Sequence, residues 1–160
     1  MRKIIPILLL TILTMVGCST LDCPLNNTVY TKYKLDGTVT ELTGCTMTVS
    51  TTKRDGEDSI LINKDENVDS FILPMSYANS ADTLYFEVQD RLERVFKDTV
   101  IVAKDNQPHF ESIDCSPAYF HTITGVKTTQ HLIDSIVINH KDVNFDATKT
   151  HFLIYFGTRE

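Results

Sequence analysis

The chain has 160 residues, 42% of them hydrophobic, and a formal net charge of −6. That length fits one domain with a core of its own. The acidic balance excludes a nucleic-acid-binding protein, which needs a basic patch, and it argues against adhesion to anionic lipid through the domain surface.

Residues 1–17 have the organisation of a secretory signal peptide. Arg2 and Lys3 precede an uncharged run from position 4 to position 16. A membrane-spanning helix needs about 20 apolar residues, and this run is shorter. We therefore expect export and removal of residues 1–17. The mature chain, residues 18–160, then has a formal charge of −8 instead of −6, because Arg2 and Lys3 are lost.

The end of this segment predicts a lipid anchor on Cys18. Positions 15–18 read Met-Val-Gly-Cys, which resembles the bacterial lipobox, where the cysteine is acylated and becomes the first mature residue. Several acyl chains anchor a protein far more durably than one. Ser19, rather than an aspartate, follows the cysteine and favours the outer membrane, and the absence of an acidic run favours its periplasmic face. The alternative is an ordinary signal peptide with an unmodified Cys18.

Residues 18–25 are expected to form the lipidated cysteine and a tether, and residues 26–160 a β-sandwich domain. Apolar residues in the domain alternate mainly with period two, which is the strand signal. Breakers at intervals of about 8 to 12 residues favour a single antiparallel β-sandwich, loosely immunoglobulin-like. Pro74 indicates an edge strand or a strand end, and only residues 88–96 could form a short helix. The predicted strands are 28–35, 46–52, 59–63, 70–75, 84–88, 95–103, 109–113, 118–126, 133–139 and 151–156.

The cysteines predict one disulfide. With Cys18 acylated, three cysteines remain in an oxidising compartment, so at most one intrachain bridge can form. Cys23 and Cys115 both follow aspartate and lie beside prolines, whereas Cys45 opens the alternating pattern of a buried strand face. We predict a Cys23–Cys115 bridge with Cys45 reduced. The alternative is three free thiols.

Four segments resemble a known family. They are residues 22–24 (DCP), 71–77 (FILPMSY), 107–115 (QPHFESIDC) and 131–138 (HLIDSIVI). They are similar to a family of small Bacteroidetes lipoproteins of unknown function. The resemblance implies a lipid-anchored, periplasm-facing domain, and it brings no known activity, cofactor or catalytic residue.

No pattern predicts a metal, a cofactor or a catalytic centre. The histidines lie 9 to 12 residues apart with no close pair of the kind that zinc sites use, and the calcium-like run 63–69 has Val68 where the loop needs glycine. There is no G-x-S-x-G elbow and no phosphate-binding glycine-rich loop. Cys115 with His109 or His121 is the one nucleophile–base pairing to consider, and the predicted disulfide would consume that thiol. The five histidines are His109, His121, His131, His140 and His151.

A triplet of aspartate, hydroxyl residue and aliphatic residue occurs four times. It matches the O-glycosylation acceptor motif of Bacteroidetes periplasmic proteins. An alternative explanation is structural, because aspartate can close a turn and Ser or Thr can then open a strand. Both interpretations remain open at this point. The possible acceptors are Ser59, Thr83, Thr99 and Ser135.

The expected function is a non-catalytic interaction or assembly module. Its membrane contact would be the lipid on Cys18, and its partner an envelope protein such as an outer-membrane β-barrel. The alternative is a glycan- or peptide-binding module that uses exposed aromatics such as Tyr30, Tyr33 or Tyr77. A hydrolytic enzyme without a recognisable motif comes third. A concave aromatic-lined pocket would favour ligand binding, and a flat apolar patch would favour protein interaction.

Overall fold

The computed structural model describes Cys23, residues 27–53 and residues 56–157. The predicted signal peptide, Cys18, most of the tether and positions 54–55 lie outside the described residues. No helix within the described part is long and apolar enough to cross a membrane. The possible helix over 88–96 is absent, because one strand ends at Gln89 and the next begins at Val95.

The described residues form ten strands in two packed sheets, so the predicted β-sandwich is confirmed. One sheet has four strands in the order β4-β1-β10-β8, and the other has six in the order β3-β2-β5-β6-β7-β9. The strands are β1 (Tyr30–Asp36), β2 (Thr46–Thr52), β3 (Asp58–Glu66), β4 (Ser70–Pro74), β5 (Ala81–Gln89), β6 (Val95–His109), β7 (Ala118–Thr128), β8 (Ile133–Ile138), β9 (Asp142–Val143) and β10 (Thr150–Phe156).

Strand pairing is antiparallel with one exception, the parallel pairing of β1 with β10. This pairing joins the beginning and the end of the domain in the middle of the four-stranded sheet. Strand β4, which ends at Pro74, lies at the edge of that sheet. Its position agrees with the expectation from Pro74, because proline cannot donate to a further strand.

The core lies between the inner faces of the two sheets. Leu35, Val49, Val100 and Ile154 are fully enclosed there, as the alternation of their strands predicts. Tyr33 is also enclosed, and its ring stacks on Phe152 at 4.7 Å between centroids. The expectation that Tyr33 is an exposed binding aromatic is therefore wrong, because its strand turns this ring toward the core.

Strand β6 is the longest, and its second half extends beyond β5. Pairing with β5 ends at Ala103, and residues 104–109 pair with β7 alone. We call residues 104–109 and 118–123 the β6–β7 arm. The prediction of a strand end at residue 103 and a new strand over 109–113 is wrong. The polar run Lys104-Asp105-Asn106 stays extended because β7 continues to pair with it.

The predicted disulfide is confirmed. Cys23 and Cys115 are bonded, with their Cα atoms 5.5 Å apart and 92 residues between them in sequence. Cys45 is the free cysteine of the described residues. It lies one residue before β2 and packs partly buried against the core. The bridge therefore attaches the segment before β1 to the loop between β6 and β7.

Candidate functional site

A cavity of about 280 Å³ opens between the β6–β7 arm and the chain that enters β1. Its lining comes from three separate parts of the sequence. We call it the tyrosine cavity. Its lining residues are Asn27, Thr28 and Val29 before β1, Met75 and Tyr77 after β4, Pro117 before β7, and Tyr119 and His121 on β7.

Two tyrosines form one wall of the tyrosine cavity. The rings of Tyr77 and Tyr119 stack with centroids 5.5 Å apart and planes inclined by 25°. Tyr77 is 68% exposed, which agrees with its predicted role as an accessible aromatic. Offset aromatic pairs bury large surfaces and keep their hydroxyls free to reach water or a ligand. This wall can pack against an apolar or aromatic group.

His121 forms the polar floor of the tyrosine cavity. It lies opposite Asn106 in the cross-strand register, and its Nδ1 is 2.8 Å from Asn106 Oδ1. The pKa of His121 is lowered to about 4, mainly by burial. The positive charge of Lys104 also lowers this pKa, and the negative charge of Asp82 opposes the shift by a smaller amount. The imidazole is therefore neutral at pH 7, and Nδ1–H donates to the amide oxygen.

A buried lysine fixes the loop that carries Tyr77. Lys104 Nζ donates to the carbonyl oxygens of Ser76 and Asn79, each at 2.7 Å, and lies 3.4 Å from Asp82 Oδ2. Asn106 Nδ2 donates to the carbonyl oxygens of Tyr77 and Asn79. These bonds hold residues 76–80 against the arm, so Tyr77 is presented by a supported loop.

The same cluster contains groups that could suggest catalysis. Ser76 Oγ lies 3.3 Å from Lys104 Nζ, as in a Ser–Lys nucleophile pair. However, the Ser76 hydroxyl donates a hydrogen bond to Asp82 Oδ1, and the Lys104 ammonium donates to two main-chain carbonyls. Burial lowers the pKa of Lys104, and the Asp82 carboxylate opposes that shift. The arrangement is that of a charged anchor for the loop.

Cys115 cannot act as a nucleophile beside a histidine, because its sulfur is bonded to that of Cys23. His109 and His121 also do not converge. The His109 ring stacks on Phe120 at 4.2 Å, and successive side chains of a strand point to opposite faces. His109 and His121 therefore lie on opposite faces of the six-stranded sheet. No group of three or more potential metal ligands occurs among residues 23, 27–53 and 56–157.

The four possible acceptors lie within strands, in different environments. Ser135 is exposed on β8, an edge strand, and Ser59 is half-buried on β3, the edge strand of the other sheet. Thr83 and Thr99 are half-buried on interior strands. Their preceding aspartates are held by the fold: Asp82 in the loop cluster, and Asp98 by bonds to Thr129 and the start of β8.

A second depression lies on the outer face of the six-stranded sheet. Its volume is about 440 Å³, and most of the residues that line it have polar side chains. Lys97 and Glu87 form an ion pair of 2.9 Å across it, and Tyr85 is its exposed aromatic. Hydroxyl groups from Thr48, Ser50 and Thr99 complete the surface.

A family profile matches residues 46–156, more than half of the chain. The chain belongs to a family of unknown function, DUF6452. The match spans β2 through β10 and so includes the β6–β7 arm, Tyr77, Tyr119 and His121. The cavity residues Asn27, Thr28 and Val29 precede the matched part. Neither curated proteins nor solved structures gave a match.

Sequence reasoning about this DUF6452 member found Tyr77 but missed Tyr119, Met75 and Lys104. Tyr119 and His121 share one face of β7 with the core residue Ile123, and this alternation was the available signal. Tyr77 and Tyr119 are 42 positions apart, so only the tertiary fold brings them together. Lys104 gives no sequence signal of burial, because lysine is almost never fully buried unless it is paired.

Proposed function

We propose that this chain is a non-catalytic recognition module of the bacterial envelope, anchored through lipid on Cys18 to the periplasmic face of the outer membrane. The small Bacteroidetes lipoproteins that the sequence resembles imply this location. The signal-like residues 1–17 support it. The Cys23–Cys115 disulfide supports it independently, because disulfides persist in the periplasm and are rare in the cytosol.

The tyrosine cavity carries the proposal of recognition. Concave, mainly apolar pockets with a few polar groups are the usual form of a binding site. This cavity has stacked Tyr77 and Tyr119 as a wall and His121 as a neutral polar floor. Its volume of about 280 Å³ suits one apolar or aromatic side chain of a partner segment.

The partner in this proposal is a peptide segment of an envelope protein, such as an outer-membrane β-barrel. Its apolar side chain would enter the tyrosine cavity. Because the mature chain has a formal charge of −8, basic residues beside that side chain would favour the encounter. A sugar fits this cavity less well, since its hydroxyls need several polar partners and most of the lining is apolar.

A glycan-binding function is the second candidate, and the polar depression around Tyr85 favours it. Aromatic rings with neighbouring hydroxyl and charged groups can bind a sugar ring through its apolar face and its hydroxyls. Tyr85, Glu87 and Lys97 provide such a combination. The two candidates therefore assign binding to different tyrosines, Tyr77 and Tyr119 for the peptide and Tyr85 for the glycan.

The proposed lipid anchoring and membrane location are tested by the substitution Cys18→Ala in the full chain. We expect loss of acyl labelling and release of the protein from outer-membrane fractions. Cys45→Ala is the matched control, because Cys45 is a free cysteine of the domain, and it should stay acylated. Unchanged sedimentation of Cys18→Ala with the membranes would refute lipid anchoring.

Recognition is tested with two probes on the purified full chain. One is a lysine-flanked peptide with a single central leucine or tyrosine, and the other is a cello-oligosaccharide. We expect the peptide to bind and Tyr119→Ala to weaken it at least about tenfold, a loss typical of removing a buried aromatic contact. Tyr85→Ala should leave it unchanged. Oligosaccharide binding that Tyr85→Ala abolishes would instead select the glycan function.

A further inference from the structure

The loop between β6 and β7 exposes two large apolar side chains. Ile113 is 96% exposed, the largest exposed fraction of any large apolar side chain in the described residues, and Phe110 is 60% exposed. The loop is a formed turn at this point, because Cys115 N donates to the carbonyl oxygen of Ser112. Single exposed apolar side chains are common, but two large ones within four residues of one loop form a small apolar patch of the kind that contact surfaces use.

The disulfide fixes where this loop lies relative to the N-terminus of the mature chain. Cys115 Cα is 5.5 Å from Cys23 Cα, and Ile113 is two residues from Cys115, at most about 7.6 Å along the chain. Cys18 precedes Cys23 by five residues, which span at most about 18 Å. Any anchor on Cys18 therefore holds the Ile113 loop close to the membrane.

We propose that Phe110 and Ile113 insert into the interfacial region of the phospholipid leaflet that holds the anchor. This inference rests on the proposed acylation of Cys18. The lipid chains supply the attachment, and the two side chains supply a second point of contact that fixes the orientation of the domain. Apolar side chains at such a depth are stabilised by leaving water, as in other interfacial segments.

The charge of the loop identifies the kind of lipid surface. Glu111 and Asp114 lie beside the two apolar residues and are exposed. Acidic side chains are repelled by the negative potential of anionic lipids. The loop is therefore suited to zwitterionic phospholipids, and insertion should decrease as the fraction of phosphatidylglycerol rises.

Insertion of this loop would orient the domain so that the opposite end of β6 points away from the membrane. Leu92 lies in the turn between β5 and β6, and it is 73% exposed. Strand β6 lies between Leu92 and Phe110, and its 15 residues span at most about 46 Å, since the strand has a register shift after Ala103. Leu92 is thus an exposed apolar side chain at the other end of the same strand, and it should remain in water.

The chain has no tryptophan, so single substitutions give site-specific fluorescence. Ile113→Trp and Leu92→Trp are compared in the full acylated chain, reconstituted in phosphatidylcholine and phosphatidylethanolamine vesicles that contain brominated lipid. We expect the emission of Ile113→Trp to shift to shorter wavelength and to be quenched at least threefold more than that of Leu92→Trp. Adding phosphatidylglycerol should reduce this difference.

Two results would overturn the inference, and they are distinguishable. If the intact mass shows no acyl group on Cys18, the proposed anchoring fails and the inference fails with it. If the chain is acylated and bound to vesicles but Ile113→Trp is quenched no more than Leu92→Trp, anchoring stands and only the insertion of the loop is wrong.

Discussion

Lys104 of β6 and Asp82 of β5 form an ion pair of 3.4 Å in which the lysine side chain is fully buried. The pair lies beneath the loop that presents Tyr77 to the tyrosine cavity. Burying an ammonium is costly unless its hydrogen bonds are complete. Here the cost is offset by two carbonyl oxygens as well as the carboxylate, so loss of the lysine leaves several polar groups without their partner.

Lys104→Met should therefore destabilise the fold by about 3 to 5 kcal/mol, the range for breaking a buried pair from one side. Urea unfolding monitored by tyrosine fluorescence measures the free energy of unfolding. Lys97→Met is the matched control, because the Lys97–Glu87 pair is exposed and such pairs contribute about 0 to 1 kcal/mol. Equal effects of the two substitutions would contradict a structural role for the buried pair.

Asp98 should give the fold a stability that acid removes. Burial alone would raise its pKa, but hydrogen bonds from Thr129 Oγ1 and from the main-chain N–H groups of residues 131–133 outweigh burial and lower it. A lowered folded-state pKa gives stability that is present above the unfolded value of about 3.9 and is lost as the pH falls through the folded value.

Asp98→Asn should reduce the free energy of unfolding at pH 7 by about 2 to 4 kcal/mol, since it removes charge-assisted bonds to buried donors. The difference from the natural chain should shrink when unfolding is measured below about pH 4. Asp58→Asn is the control in the same triplet motif, because Asp58 is exposed. A difference that stays constant from pH 7 to pH 3 would contradict this account.

His121 should produce a separate pH dependence in a higher range. Its pKa is about 4 in the folded chain because of burial, and about 6.5 when unfolded. The unfolded chain therefore binds more protons between pH 4 and pH 6.5, and stability should fall by about 3 kcal/mol as the pH decreases through that window. Buried His151, whose pKa is also lowered by burial, adds to the same slope, so urea unfolding of His121→Leu should retain only part of the full slope. His109→Leu, on the opposite face, should keep it.

Local alternation predicted most of the fold, since the inward positions of β2, such as Met47 and Val49, can be recognised without a structure. Two features could not be predicted this way. The parallel pairing of β1 with β10 depends on residues more than 100 positions apart. The two-residue strand β9 (Asp142–Val143) is too short to show any period.

The candidate site was harder to predict than the fold, for physical reasons. Because Lys104 is charged, its residue type predicts a surface position. It is buried because two main-chain carbonyl oxygens and the Asp82 carboxylate bind its ammonium group. Tyr33 and Tyr77 are both tyrosines, and the residue type alone does not distinguish them. Tyr33 packs between two aromatic rings in the core, whereas Tyr77 lies exposed on a loop. Such differences arise from tertiary contacts that no local pattern encodes.

If the triplets are used for O-glycosylation, the structure ranks their acceptors. Ser135 is exposed on an edge strand, whereas Thr83 and Thr99 are half-buried on interior strands. We expect peptide mass spectrometry of protein purified from its native cells to find any glycan on Ser135, and Ser135→Ala to remove that mass. A glycan on Thr99 with Ser135 unmodified would contradict the ranking.

The disulfide should stabilise both the domain and the tyrosine cavity. Cys115 is two residues before Pro117, a lining residue, and Asn27 Nδ2 donates to the carbonyl oxygen of Ser116 beside the bridge at 3.0 Å. Cys115→Ser should lower the free energy of unfolding by about 2 to 5 kcal/mol, because the bridge restricts a long loop in the unfolded chain. Cys115→Ser should also weaken peptide binding, because the two segments that carry Asn27 and Pro117 are then no longer joined by the disulfide.

Urea unfolding and peptide titration of the same Cys115→Ser protein measure these two effects. Cys45→Ser is the matched control and should change the free energy of unfolding by less than about 1.5 kcal/mol, since it alters one partly buried atom. If Cys18 is acylated as proposed, thiol labelling of the denatured, unreduced chain should modify one cysteine, Cys45. Labelling of three cysteines, or a Cys115→Ser protein as stable as the natural chain, would show that the bridge does not form in the natural protein.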